Sequence, residues 1–163
     1  MNAKACQFDE RPLIAEDEFG HFVAAQKRVY ERVVQELILG EKRSDWIWYI
    51  FPRFIGLERG YLADRFALHS LNQAQRYVIH PVLGEHLMQC SELVLDVPRR
   101  GISEILGQPD GARFHSSMTL FSLAAPENPV FASALSRFFE GQRDVETIDI
   151  LWLAHQHAWD LQL

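Results

Sequence analysis

Apolar residues recur at three- and four-residue steps through almost the whole chain, and this periodicity restricts the fold more than any motif does. Phe19, Phe22, Val23, Tyr30, Val33, Val34 and Leu37 fall on one helical face, while Lys27, Arg28, Glu31, Arg32 and Glu36 fill much of the other. Gly40 follows, as expected where a helix ends in a left-handed cap. Ser70-Leu71-Asn72-Gln73 reads as a capping box, with Leu71, Ala74, Tyr77 and Val78 on the face behind it. Pro81 breaks that helix, and Leu83, His86, Leu87, Cys90, Leu93, Val94 and Val97 stripe the next one up to Pro98. A short turn runs from Ser103 to Leu106. Phe114, Met118, Phe121 and Ala125 then share a face, and Asn128-Pro129 is a cap followed by proline at the first helical position. Phe131, Ala134, Leu135, Phe138 and Phe139 are the buried side of that helix, and Gly141 closes it. Asp144 caps a last helix with Ile148, Leu151, Trp152, His155 and Trp159.

Sustained period-two alternation and Asn-Gly hairpin turns are missing. The expectation is an all-α single domain of about seven helices with short connections, neighbours packing roughly antiparallel. Residues 1–17 read as an N-terminal arm, 18–151 as the domain and 152–163 as a C-terminal helical extension. Ser44-Asp45-Trp46-Ile47-Trp48-Tyr49-Ile50-Phe51-Pro52 is the ambiguous stretch, its β-branched and aromatic content suiting a strand as well. A helix capped by Ser44 and stopped by Pro52 is favoured. Residues 52–60 read as a loop, and Tyr61 to Leu68 as a further helix.

Charge removes whole classes of function. Sixteen basic and twenty-two acidic residues among 163 give a net charge of −6, which disfavours general nucleic-acid binding. Only residues 41–65 are net positive, by +1, so a local patch can hold one small anion. No apolar run approaches the roughly 20 residues that span a bilayer, and the first twenty residues carry seven charges, unlike a signal peptide. Cys6 and Cys90 have no metal-ligand spacing, and Cys90 on its apolar stripe reads as a buried free thiol. A reduced, soluble, cytoplasmic protein is expected, without membrane contact and without a cofactor.

The well-defined catalytic signatures are missing: GxGxxG, the P-loop, GxSxG, HExxH and paired CxxC. His155 and His157 are two apart, which points them about 200° apart on a helix. His80 and His86 straddle Pro81 without an obvious third ligand, so no metal site is expected. Two clusters remain. Trp46, Trp48, Tyr49 and Phe51 form core or, alternatively, the wall of a pocket that stacks on a flat ligand. Lys42, Arg43 and Arg53 flank them, a cationic rim suited to a planar anion such as a nucleotide. In the second cluster Arg113 shares a helical face with Ser116 and Ser117, one guanidinium and two hydroxyls that can hold phosphate or carboxylate. The alternative is that the serines allow close helix approach and bond back to the preceding turn, and that Arg113 pairs with a carboxylate of the chain. Asp45 and His115 are the only general bases the sequence suggests, and the catalytic residues stay unknown.

These stretches resemble a known family. Lys42 to Pro52 looks like its first motif, His80-Pro81-Val82-Leu83-Gly84 with Cys90 its second, and Ser116-Ser117-Met118-Thr119-Leu120-Phe121 its third. Phe22-Val23-Ala24-Ala25-Gln26 and Tyr30 fit its opening helix. The family is the uncharacterised bacterial domain of unknown function 1810, sometimes labelled calpastatin. The likeness covers about residues 18–151, with Arg53 standing where the family often has Gln. It implies an all-α domain and no established activity, cofactor or catalytic residue.

Two functions follow as expectations. One is a pocket for a planar or anionic, nucleotide-like metabolite, built from Lys42, Arg43, Trp46, Trp48, Arg113, Ser116 and Ser117, which requires the two clusters to meet in space. The other is a helical protein-interaction module with no enclosed site, its partner unknown. Under either, Trp48 and Phe51 are expected to be mostly buried.

Overall fold

A computed structural model describes residues 17–160, with side chains described as far as 157. Residues 1–16 of the expected arm 1–17, with Cys6, and the side chain of Trp159 lie outside the described residues. Those residues form α1 (Gly20–Lys27), α2 (Tyr30–Leu39), α3 (Ile47–Ile50), α4 (Tyr61–Arg65), α5 (Leu71–Ile79), α6 (Leu83–Asp96), α7 (Ile102–Leu106), α8 (Asp110–Ala124), α9 (Pro129–Phe139) and α10 (Val145–Asp160). Among the described residues there is no strand, only an isolated parallel bridge between Phe54 and Leu68.

Ten helices stand where about seven were expected, for two physical reasons. The periodic run from Phe19 to Leu37 is two helices, broken at Val29 (φ −129°, ψ −7°). The break lets α1 bury Phe22 and Gln26 beside Tyr77 of α5, while α2 turns Val33 and Leu37 onto α6. The others are single turns: α3, α4 and α7 have four or five residues each. The Tyr61–Leu68 helix stops at Arg65, because Phe66 dives into the core and Leu68 pairs with the Arg53 carbonyl and the Ile55 N–H, both at 2.9 Å.

α8 is the central helix, packed against α3, α5, α7, α9 and α10. Phe114, Met118, Leu120 and Phe121 are fully buried, and so are Ser117 and Thr119. The predicted caps hold where they were clearest: Ser70 accepts from the Gln73 N–H at 3.0 Å and Asn128 from the Val130 N–H at 3.1 Å. Ser44, however, caps nothing. Its hydroxyl donates to Glu36 at 2.6 Å, and Trp46 precedes α3 without a side-chain cap.

Gln26 ties four helices together. Its Nε2 donates to the Tyr49 carbonyl (2.7 Å) and the Tyr77 hydroxyl (3.1 Å), and its Oε1 lies 2.7 Å from His86 Nδ1. With both amide hydrogens engaged, Oε1 must accept, so His86 carries its proton on Nδ1. Burial holds His86 below the usual histidine range, and its ring stacks on Tyr30 at 3.5 Å. Cys90 is a buried free thiol, as expected, and burial pushes its thiol up to about 12. The second motif builds the α5–α6 corner: His80 Nδ1 accepts from the Val82 and Leu83 N–H groups, both at 3.2 Å, at the start of α6. Gly84 lies against the Val78 carbonyl, where a Cβ would come within 1.8 Å.

Candidate functional site

The two clusters do meet. The Arg113 guanidinium lies over the Trp48 ring, 4.1 Å from its centroid, and Phe51 contacts Phe114 edge-on at 4.9 Å. α8 delivers Arg113 and α3 delivers Trp48. What they form is a chain of ion pairs, and it differs from the open cleft pictured above. Arg113 Nε and Nη2 donate to both oxygens of Glu58 (3.0 and 2.5 Å), and Nη1 donates to Asp110 (2.7 Å). Arg53 adds a bond to Glu58 at 2.6 Å, and Lys42 pairs with Asp110 at 2.7 Å. Hydrogen bonds from Arg113 first, then from Arg53, hold the Glu58 carboxyl down to about 2. Only about 10 Å³ stays open between Trp48, Arg53, Glu58, Phe66 and Arg113, room for a single water at most.

The remaining predicted site residues are engaged elsewhere. Ser116 donates to the Ala112 carbonyl (3.2 Å) and to Asp144 (3.1 Å), so it braces α8 against the start of α10. Ser117 is fully buried and its hydroxyl has no partner among the described residues. The face shared by Arg113, Ser116 and Ser117 is therefore a packing face, with no pair of open hydroxyls beside a free guanidinium. Trp46 is fully buried and donates through its indole N–H to Glu36 at 2.7 Å. Arg43 is exposed and pairs with Glu41. Trp48 is mostly buried, with Arg113 covering one face of its ring, and Phe51 is fully buried, both as expected. His115 stacks on Phe139 at 3.9 Å and donates to the Gln142 carbonyl, while Asp45 is exposed on the surface.

Glu36 escaped the periodicity argument. It sits on the charged face of the pattern yet is buried, accepting from the Arg43 and Ser44 N–H groups, the Ser44 hydroxyl and the Trp46 indole. Burial opposes its charge, but those hydrogen bonds win and hold its carboxyl below the usual range.

A second concavity is open. It lies between α1 and α4, and its lining includes His21, Arg28, Tyr49, Tyr61, Arg65 and Phe66, around a volume of about 340 Å³. Phe66 and Tyr49 meet at 5.1 Å, and His21 stacks on Phe66 at 5.7 Å. Arg65 leans over the Tyr61 and Phe66 rings, 6.0 and 5.7 Å from their centroids. Arg28 and Arg65 are both exposed, and neither has a carboxylate partner among the described residues. Burial, then the charge of Arg65, holds His21 below the usual histidine range. Asp64 stands at the outer mouth, which widens beside His21, Tyr61 and Arg65. Among the described residues no helix is long and apolar enough to cross a membrane, and no group of three His, Cys, Asp or Glu could hold a metal ion.

The model of the family described as "Protein of unknown function (DUF1810)" matches residues 16–151, and the chain belongs to that family. A similar solved structure is the conserved hypothetical protein Rv1873 from Mycobacterium tuberculosis. It is 43% identical, with a TM-score of 0.79, over 80% of this chain and 94% of that one. No curated protein matches the chain. The family match stops inside α10, and residues 152–160 of the expected extension continue that one helix.

Proposed function

We propose that the chain binds a small, planar, anionic metabolite of nucleotide-like chemistry, and that it does so in the groove between α1 and α4. The observation that supports this reading is the pairing of unspent charge with aromatic surface. Arg28 and Arg65 have no carboxylate partner among the described residues, and they flank the Tyr49, Tyr61 and Phe66 rings. A flat ring takes stacking from such side chains, and a phosphate or carboxylate takes the guanidinium forks. The volume falls within the roughly 300–1,000 Å³ of small-molecule sites. The ligand class is the one read from the sequence, but its place shifts. Tyr49 of the first motif belongs to the groove, whereas Lys42 and Arg113 spend their charge on Asp110 and Glu58 and Trp48 gives a ring face to Arg113. The cytoplasm, where thiols stay reduced, suits the free Cys90.

The test is a titration with nucleoside monophosphates, followed by thermal shift and calorimetry. Binding should weaken about tenfold or more in Arg65→Ala, since a charged hydrogen bond is worth roughly 1.5–3 kcal/mol, and measurably in Tyr61→Ala, which loses a stacking ring. Equal affinity in wild type and both variants refutes the reading, and so does a panel in which no planar anion moves the melting temperature.

The interaction-module reading has its own support at the far end of the chain. α10 is exposed on every side from Trp152 to His157, with Trp152 61% and Leu153 55% accessible. Trp152→Ser with Leu153→Ser should remove any self-association seen in sedimentation. An unchanged sedimentation profile counts against it.

A further inference from the structure

The closed ion cluster beside Trp48 has an unusual order of burial. In most surface salt bridges both partners are wet. Here the two arginine side chains are only 14% exposed, while the carboxylate between them is 34% exposed. The cations are the fixed inner members. Arg113 stands on the central helix, resting on the Trp48 ring and tied also to Asp110. Arg53 follows α3, and its backbone carbonyl is pinned by the bridge to Leu68. The anion arrives from the solvent side on a loop without helix or strand, between Gly56 (φ +91°) and Gly60 (φ +131°), backbone angles that side-chain-bearing residues rarely adopt. Two further facts concern what the cluster leaves over. Among the described residues Lys42, Arg53 and Arg113 pair with two carboxylates, Glu58 and Asp110, three positive charges against two negative. The indole N–H of Trp48, a residue that lines the same cleft, is buried without an acceptor among the described residues. A buried donor left unpaired costs free energy, and a purely structural ion pair does nothing to relieve it.

We infer that Arg53, Arg113 and Trp48 form a receptor for the carboxylate group of a small organic acid, and that Glu58 occupies it from within the chain. Both oxygens of Glu58 are taken by the Nε–Nη2 edge of Arg113, and one is shared with Arg53. That fork matches a planar, two-oxygen group better than a tetrahedral one. An incoming carboxylate replaces Glu58 on the same donors and leaves the loop free to swing outward about its glycines. The occupant differs from that of the α1–α4 groove, since Arg113 covers the ring face that a flat ligand would need.

Chemical rescue tests it. Glu58→Ala should melt below wild type, and acetate or formate should restore at least half of the loss. The effect should saturate at concentrations that leave wild type unmoved, with ionic strength held by chloride. Glu58→Gln, which keeps the shape and loses the charge, should bind acetate at least tenfold more tightly than wild type. It also serves should the alanine variant not fold. Adding Arg113→Met to either variant should abolish the response, whereas adding Arg65→Ala should leave it intact. Absence of saturable rescue overturns the inference, as does equal rescue by chloride or phosphate, or a response that survives Arg113→Met.

Discussion

Replacing Gly84 by alanine tests whether the second motif is a packing device or part of a ligand site. The added Cβ would lie 1.8 Å from the Val78 carbonyl oxygen and 2.7 Å from its carbon. Backbone of α5 and α6 must then part by roughly 1.2 Å to reach even the 3.0 Å that real side chains essentially never go below. The corner cannot open freely. His80 accepts from the first two N–H groups of the following turn, α5 is held against α8, and α6 against α9. Overpacking costs about 1–3 kcal/mol and more where backbone must move. Better helix propensity returns about 1 kcal/mol. The net expectation is a loss of about 3 kcal/mol, a fall of roughly 6–12 °C in melting temperature for a domain of this size. Urea unfolding monitored by circular dichroism measures it. Gly141→Ala is the control. That residue has φ +75° and nothing within 4 Å of a built Cβ, so only conformational strain of about 1–2 kcal/mol is expected. A Gly84→Ala protein within 1 kcal/mol of wild type, or more stable than the control, refutes the steric argument.

Three further outcomes follow from the charges and rings. Glu58 and Glu36 have carboxyls held below their unfolded values, Glu58 at about 2, so their contributions are full above pH ~4.5 and fade as pH falls toward 2. Melting curves between pH 2 and 6 should show an acid limb that flattens in Glu58→Gln by about 1–2 kcal/mol after solvent screening, and an unchanged limb would count against the ion cluster. Anion binding in the groove should tighten as pH falls through the bound-state value of His21: burial and Arg65 now hold that ring neutral, a ligand's negative charge favours its protonation, and His21→Phe should remove the slope in calorimetry. Trp46→Ala should cost about 3–5 kcal/mol, and Trp48→Ala about 2 kcal/mol, because only the former ring is fully buried. Denaturant midpoints in the opposite order would overturn the assignment of Trp46 to the core.

The helical class was legible because burial here is one-sided for most helices, so Val33 and Leu37, or Phe131, Ala134 and Leu135, mark their faces without help. α8 is the exception that misled. It is buried almost all round, so its hydroxyl residues lie inside with its rings, and Ser116 and Ser117 look like a polar working face. Glu36 failed for a related reason: a carboxylate satisfied by four hydrogen bonds can be buried where periodicity places it outside. The pairing of Arg113 with Glu58 joins residues 55 apart, for which no local pattern exists. Arg65 did leave a trace. It stands four residues after Tyr61 and one before Phe66, within the only net-positive stretch of an acidic chain.

That stretch is also where the fold departs most from regular helix, and the two facts have one cause. The bridge between Phe54 and Leu68 ties the ends of a loop whose interior holds only the single turn of α4. Within it Phe66 is the anchor, buried against Phe22 and Tyr49 at 5.4 and 5.1 Å. With both ends and one ring fixed, the remaining side chains divide by direction. Glu58 turns inward to the arginines beside Trp48, while Tyr61 and Arg65 turn outward to the groove. Phe66 lines both concavities. Seven residues of tethered loop separate Glu58 from Arg65, and Leu57 and Leu62 hold it against the core. Helices position Arg113, Tyr49 and His21 from the rigid side, and the loop brings the movable side chains to them. Helix-borne side chains facing one tethered loop suit the binding function proposed above, in which a ligand alters the loop.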